Sequence, residues 1–203
     1  MSKASAAFFA WIQGASFYSD VHAEAVNLLP PGNGKTWLDV GCGPGLVARL
    51  ASRRGYSVVG ADRDPAMIKQ ARRLARRDRQ CRFEVGDLGK AAESYQADVV
   101  SAASLLFVLP DPNAGIHQLW RCVRAGGALL IVETTTDMAP ARALEVRRGV
   151  RPGRKLALTI WARARLGRAI DPSVFDAIAP ASRERTLLLN GLVQAWAFTK
   201  EAA

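Results

Sequence analysis

Short apolar runs alternate with segments of helical period along most of this chain. Trp37-Leu38-Asp39-Val40 is an apolar run broken by one acid, followed by a glycine-rich stretch and a helix from Leu46. Tyr56 to Asp62 is a second apolar run. Asp64-Pro65 then opens a helix, with the aspartate as N-cap and the proline at the first helical position. Cys81-Arg82-Phe83-Glu84-Val85 alternates with the period of a half-buried strand. Ala97 to Leu106 reads as a fourth strand. The next helix runs through His117, Leu119, Trp120 and Val123, and Arg124-Ala125-Gly126-Gly127 ends it, with glycine where a left-handed cap costs little. Ala128 to Glu133 is the fifth strand. Such alternation predicts an α/β fold, a parallel sheet with helices on both faces. Glu184 to Leu189 and Leu192 to Phe198 flank Asn190-Gly191, the pairing that most strongly marks a β-hairpin. Together these elements make a seven-stranded, mostly parallel sheet that ends in a C-terminal antiparallel β-hairpin.

Chemistry enters at the first strand-to-helix turn. Gly41-Cys42-Gly43-Pro44-Gly45 has glycine at every second position, which permits positive φ and lets a ligand reach the bare backbone. The free N–H groups of the turn and of the helix behind it face that ligand. A dinucleotide fingerprint is G-x-G-x-x-G; here the third glycine comes one place early and position 46 is Leu. Asp39 at the strand end would repel a pyrophosphate in a poorly solvated crevice. It suits a positively charged ligand, such as a sulfonium cofactor that carries an ammonium group.

Leu38-Asp39-Val40-Gly41-Cys42-Gly43-Pro44-Gly45 resembles the first motif of the class I S-adenosylmethionine-dependent methyltransferases. Tyr56 to Asp62, Cys81 to Leu88 and Ala97 to Leu106 resemble the family's next three stations, in order. Asp62 lies 17 residues beyond Gly45, the length of a crossover helix and a strand, and its carboxylate can accept both ribose hydroxyls. The resemblance implies a cofactor site of Asp39, Gly41, Cys42, Gly43 and Gly45, with Arg63 and Met67 against the adenine. It extends that site to Gly86, with Asp87 meeting the adenine amino group and the Leu88 N–H a ring nitrogen. Ala103 and Ser104, at the end of the fourth strand, would lie beside the transferred methyl. The motifs cover residues 35–136; residues 183–200 match by architecture, with an antiparallel last strand inserted into the sheet.

Two segments fall outside that core, dividing the single domain into 1–34, 35–136, 137–182 and 183–203. Phe8 to Leu29 is aromatic and helical in pattern, and is expected to fold over the pocket as a lid that excludes water from a reactive cation. Tyr18 and His22, four residues apart, share one helical face and are candidate substrate contacts. Thr134 to Pro180 carries Arg142, Arg147, Arg148, Arg151, Arg154, Lys155, Arg163, Arg165 and Arg168 among apolar residues. Its basic and apolar positions do not separate into clean helical faces, which disfavours a membrane-surface helix. A helical cap over the substrate side is expected.

At 203 residues and 21.9 kDa, the chain is one domain of ordinary size. Its net charge of +10 raises nucleic acid as a partner. Six lysines leave 22 of the 28 basic residues as arginine, and Arg72, Arg73, Arg76, Arg77 and Arg79 form a dense run. That run sits on the helix after Asp62, away from the expected pocket. An RNA-directed enzyme, or a noncatalytic cofactor- or RNA-binding protein, is therefore the alternative to a small-molecule methyltransferase. A nicotinamide-dependent oxidoreductase is disfavoured by the glycine spacing and by Asp39. Cys42, Cys81 and Cys122 lack metal-ligand spacing, and reduced thiols in a cytoplasmic protein are expected. Lys3 precedes the apolar run Ala4 to Ile12, but one basic residue and no cleavage site do not make an export signal. No run of 18 apolar residues offers a transmembrane helix. No Asn/Asp-Pro-Pro-Tyr/Phe follows the fourth strand and no Pro-Cys nucleophile is present, which excludes the usual nucleobase amino and cytosine C5 chemistries. The expected acceptor is a small molecule methylated on oxygen or nitrogen. Positioning alone can supply much of the catalysis, about 7–11 kcal/mol at best, so no catalytic residue is named.

Overall fold

A computed structural model describes residues 9–146 and 155–203. A helical turn over residues 9–13 breaks at Gly14 and Ala15 before α1 (Ser16–Asn27). The core then runs β1 (Thr36–Val40), α2 (Leu46–Arg53), β2 (Ser57–Asp62), α3 (Pro65–Leu74), β3 (Cys81–Val85), α4 (Leu88–Ser94), β4 (Ala97–Ala103), α5 (Pro112–Arg121) and β5 (Val123–Thr134). After it come α6 (Pro140–Val146), α7 (Lys155–Arg165), a 3-10 turn (Pro172–Ala177), β6 (Ser182–Leu188) and β7 (Val193–Thr199). The seven strands form one sheet in the order β3-β2-β1-β4-β5-β7-β6. β1 to β5 are parallel, β7 is antiparallel to β5, and β6 is antiparallel to β7. The predicted fold class holds, including the inserted antiparallel strand.

Strand alternation sorts the core into two layers. Trp37, Val58, Val99, Leu130 and Val132 face α1, α2, α3 and α7. Leu38, Val40, Val100, Leu129 and Ile131 face α4, α5 and the 3-10 turn. The even spacing puts Asp39 on the first face with Trp37, at the C-terminal end of β1 where α1 crosses it.

Three boundaries differ from expectation. α5 ends at Arg121 and Val123 already pairs with Ala97, so Gly126-Gly127 is not a helix cap. It forms an irregularity in β5: the register slips between Ala97 and Val99, and a Cβ on Gly127 would lie 2.7 Å from the Asp98 carbonyl oxygen. Local helical period carried the reading past the point where β4 claims the backbone. The hairpin turn is longer than the two-residue Asn-Gly form. Leu188 pairs with Val193, and Leu189, Asn190 and Gly191 all have positive φ. β4 stops at Ala103, and Ser104 adopts φ 56° before a 3-10 turn over Leu106–Val108.

The segment between β5 and β6 does not stay on one face. On α7, Ala157, Leu158, Trp161 and Ala162 pack into the first layer, and the Trp161 ring lies 5.8 Å from Phe17 and 5.5 Å from Tyr18. The 3-10 turn then places Phe175 against Trp196 and Phe198 on the opposite face. Phe8, Arg147, Arg148, Arg151 and Arg154 lie outside the described residues.

Candidate active site

The C-terminal ends of β1 to β5 line one edge of the sheet, and the turns leaving them form a crevice beneath α1. Asp39 is 1 % exposed there. Trp37 Nε1 donates to Ser101 Oγ at 2.7 Å, and the Ser101 hydroxyl donates to Asp39 Oδ1 at 2.8 Å, which locks the carboxyl in place. Asp39 Oδ2 has no partner. Burial pushes this carboxyl up to about 7, with the Ser101 hydrogen bond pulling the other way.

The three glycines of the loop all have positive φ but meet different neighbours. A Cβ on Gly45 would strike the Phe83 ring at 2.6 Å, so packing requires that glycine, and one on Gly41 would press on the end of the Leu105 side chain at 2.9 Å. A Cβ on Gly43 would meet only Gln13 Nε2, at 3.7 Å, so Gly43 is the one open to a ligand. Cys42 is buried among them, and burial raises its thiol well above the usual range. It is a packed, protonated sulfur.

Asp62 braces the loop. Its Oδ2 accepts from the Gly43 N–H and its Oδ1 from the Asp64 N–H, each at 2.9 Å. Every carboxylate oxygen keeps a second lone pair for a further donor. Arg63 is exposed at the same strand tip, and Met67 is buried on the first turn of α3. Gly86 donates its N–H to the Asp62 carbonyl, bringing the tips of β2 and β3 together. Asp87 caps α4 by accepting from the Lys90 N–H at 2.9 Å, and Leu88 follows as the first helical residue.

The N-terminal segment covers this crevice. Tyr18 and His22 stack at 4.3 Å between ring centroids, and with Gln13, Asp39, Gly41, Cys42 and Ala103 they line a cavity of about 20 Å³. His22 Nδ1 lies 2.8 Å from the Tyr18 carbonyl oxygen, which can only accept, so the proton sits on Nδ1 and Nε2 carries a lone pair. Burial pulls His22 down to about 4, so the ring is neutral. Three buried acceptor atoms without a partner therefore belong to residues around one cavity: Gln13 Oε1, His22 Nε2 and Asp39 Oδ2. Such a set fits a ligand with several N–H donors on one cation, as an ammonium group has.

Glu133, Arg165 and Phe107 complete the crevice beyond Tyr18 and were not among the expected residues. Glu133 is 2 % exposed; its Oε1 accepts from the Leu106 N–H at 3.0 Å and its Oε2 has no partner. Burial pushes this carboxyl up to about 8, against the pull of Arg165. Arg165 places its guanidinium 4.2 Å from the Phe107 ring centre. The Tyr18 hydroxyl lies beside Ser104, and burial raises its pKa. Glu133 carried a readable signal: it is an acid ending an apolar strand, as Asp39 and Asp62 are. Arg165 did too, since it continues the Leu158 and Trp161 stripe of α7.

The methyltransferase domain family matches residues 38–131. That match begins and ends within the strands whose tips build the crevice. Residues 38–131 are thus similar to a methyltransferase domain. Among curated relatives of this domain, the ubiquinone biosynthesis O-methyltransferase of Alkalilimnicola ehrlichii is 33 % identical over 100 residues, 48 % of this chain and 40 % of that enzyme. The enzyme of the same name from Klebsiella pneumoniae is 28 % identical over 145 residues, 61 % of this chain and 59 % of its own length. The chain thus spans about half the length of these relatives. Magnesium protoporphyrin IX methyltransferase from Synechocystis, solved with bound S-adenosylhomocysteine, aligns with a TM-score of 0.64 at 18 % identity over 96 % of this chain and 93 % of that one. Among the described residues, no helix is long and apolar enough to cross a membrane, and no cluster of potential metal ligands is present.

Proposed function

We propose that this protein transfers a methyl group from S-adenosylmethionine to an oxygen or nitrogen of a small-molecule acceptor. The observation that carries this reading is the trio of unpartnered buried acceptors, Gln13 Oε1, His22 Nε2 and Asp39 Oδ2, beside the one glycine open to a ligand. An ammonium group has three donors and one positive charge, and it meets both requirements of that set. S-adenosylmethionine, when bound, supplies a sulfonium methyl that is already activated. The chain's own residues bind and align. Asp62, held rigid by two backbone N–H groups, presents its free lone pairs to the ribose hydroxyls. The Leu88 N–H lies in the first turn of α4, where no intrahelical acceptor exists, and it is free for an adenine ring nitrogen. Asp87, Gly86, Arg63 and Met67 flank it, and Ala103 and Ser104 lie toward the methyl. Tyr18 and His22 close the crevice from α1 and exclude water.

The cavity beside Asp39 is far smaller than pockets that hold small molecules, about 300–1,000 Å³. Entry of the cofactor therefore requires residues 9–29 to move outward, the behaviour of a lid, with α7 as its neighbour in the cap. The arginine-rich stretch around Arg76 and Arg77 leads into the start of β3, at the opposite end of the sheet from the crevice, so it gives no support to an RNA acceptor at the site. A soluble metabolite as cofactor fits a cytoplasmic protein.

The test is calorimetric titration of the wild type and Asp62→Ala with S-adenosylmethionine, S-adenosylhomocysteine and NADH. The expected result is binding of both sulfur ligands, weakened by the substitution, and no binding of NADH. NADH binding alone would replace this reading with a dehydrogenase.

A further inference from the structure

The cluster of side chains around Arg165, beyond Tyr18, has an unusual composition. Arg165 is 8 % exposed, yet among the described residues no carboxylate lies within 4.0 Å of its guanidinium. A buried cation without an anion is costly, because it has lost its water and gained no countercharge. The titratable groups facing it do not compensate. Glu133 on β5 is held mainly protonated by burial, Tyr18 and His22 on α1 are neutral, and Arg168 adds positive charge from just beyond α7. The other polar groups nearby are hydroxyls or a carboxyl able to donate: Tyr18, Ser104 and Glu133. Glu133 Oε2 is buried without a partner, in a residue only 2 % exposed. The cluster therefore offers donors and uncompensated positive charge. Its apolar members are aromatic, with Phe107 under the guanidinium and Trp161 against Tyr18.

We propose that this cluster binds the methyl acceptor and that Arg165 pairs with a carboxylate of that acceptor, an aryl carboxylic acid. A carboxylate is planar and accepts two parallel N–H bonds from a guanidinium. Its remaining lone pairs suit the surrounding hydroxyls, and its ring suits Phe107 and Trp161. Tyr18 belongs to this cluster and also lines the cavity beside Asp39, so an acid held at Arg165 lies next to the place where the methyl is presented. The inference rests on the methyltransferase reading and gives it a substrate class.

The experiment uses salicylate and its neutral isostere salicylamide as probes, titrated by calorimetry into the full-length protein saturated with S-adenosylhomocysteine. Wild type is expected to bind the acid more tightly than the amide by about tenfold or more, the value of a charge-assisted pair. Arg165→Gln should bring the two affinities together, and Arg165→Lys should restore part of the difference. Thermal unfolding of each variant checks that it is folded. Equal affinities in wild type, absence of binding of either probe, or a preference that survives in folded Arg165→Gln would each overturn the assignment. Tighter binding of phenyl phosphate than of salicylate would also overturn it, in favour of a phosphate acceptor. S-adenosylhomocysteine binding in the first step separates the two readings: without it the methyltransferase proposal fails, and with it only the carboxylate is in question.

Discussion

Asp39→Asn should make the ligand-free protein more stable at alkaline pH and at the same time weaken its ligand binding. The buried carboxyl sits at about 7, against an ordinary value of 3.8. Because the folded-state pKa is raised, the unfolded chain releases this proton first as pH rises. Stability is therefore lost progressively between about pH 4 and pH 7 and stays low above that. A displacement of about three pH units corresponds to roughly 4 kcal/mol, an upper value because water entry relieves part of the burial. Asparagine keeps the shape and the Ser101 contact but carries no charge. At low pH both forms present one unpartnered polar atom and should be equally stable. At about pH 8 the variant should melt higher, by up to roughly 10 °C for a chain of this size. Affinity of the wild type for S-adenosylhomocysteine should rise across the same pH range, because the ligand ammonium pairs with the ionised form. The variant should lack that rise. The assay is urea unfolding and calorimetric titration of both proteins from acid to alkaline pH. A variant no more stable than wild type at about pH 8, or one that binds as tightly, would refute the assignment of an uncompensated buried carboxyl at this place.

Three further outcomes follow from the same geometry. Gly45→Ala, with φ +76° and a Cβ 2.6 Å from the Phe83 ring, should cost roughly 2–4 kcal/mol in urea unfolding, whereas Gly43→Ala, in open space, should cost about 1 kcal/mol and instead weaken cofactor binding. His22 is neutral in the fold with its pKa lowered to about 4, so its contribution is lost as pH falls from about 6.5 to 4; His22→Gln should flatten that acid limb by up to roughly 3 kcal/mol. Hydrogen exchange over residues 9–29 should be fast without ligand and slow with S-adenosylhomocysteine, and unchanged exchange would refute a moving lid.

The strand-tip acids were legible because each interrupts or ends an apolar run, and an acid placed there has few structural reasons to exist. Asp39 and Asp62 were found that way, and Glu133 carried the same mark. Asp64 was legible as an N-cap, and its Oδ1 accepts from the Ala66 N–H at 2.8 Å. The extent of β5 was not legible. Helical period continues through Val123, but the edge of β4 offers that residue strand hydrogen bonds, and long-range pairing overrides local preference.

What the sequence determined by itself was the order of strands and helices, the seven-stranded class, the glycine turn and the acids at the strand ends. These follow from local rules, namely side-chain period, capping and permitted φ, which act between residues close along the chain. What only the tertiary structure decided was which glycine faces a ligand, which polar atoms are left unpartnered, and that Arg165 of α7 reaches the crevice formed by β4 and β5. Those depend on packing between segments more than 100 residues apart, as with Tyr18 against Trp161. Burial there sets the charge of Asp39, His22 and Glu133, because the loss of water around an ionisable group is a property of the fold and not of its neighbours in sequence.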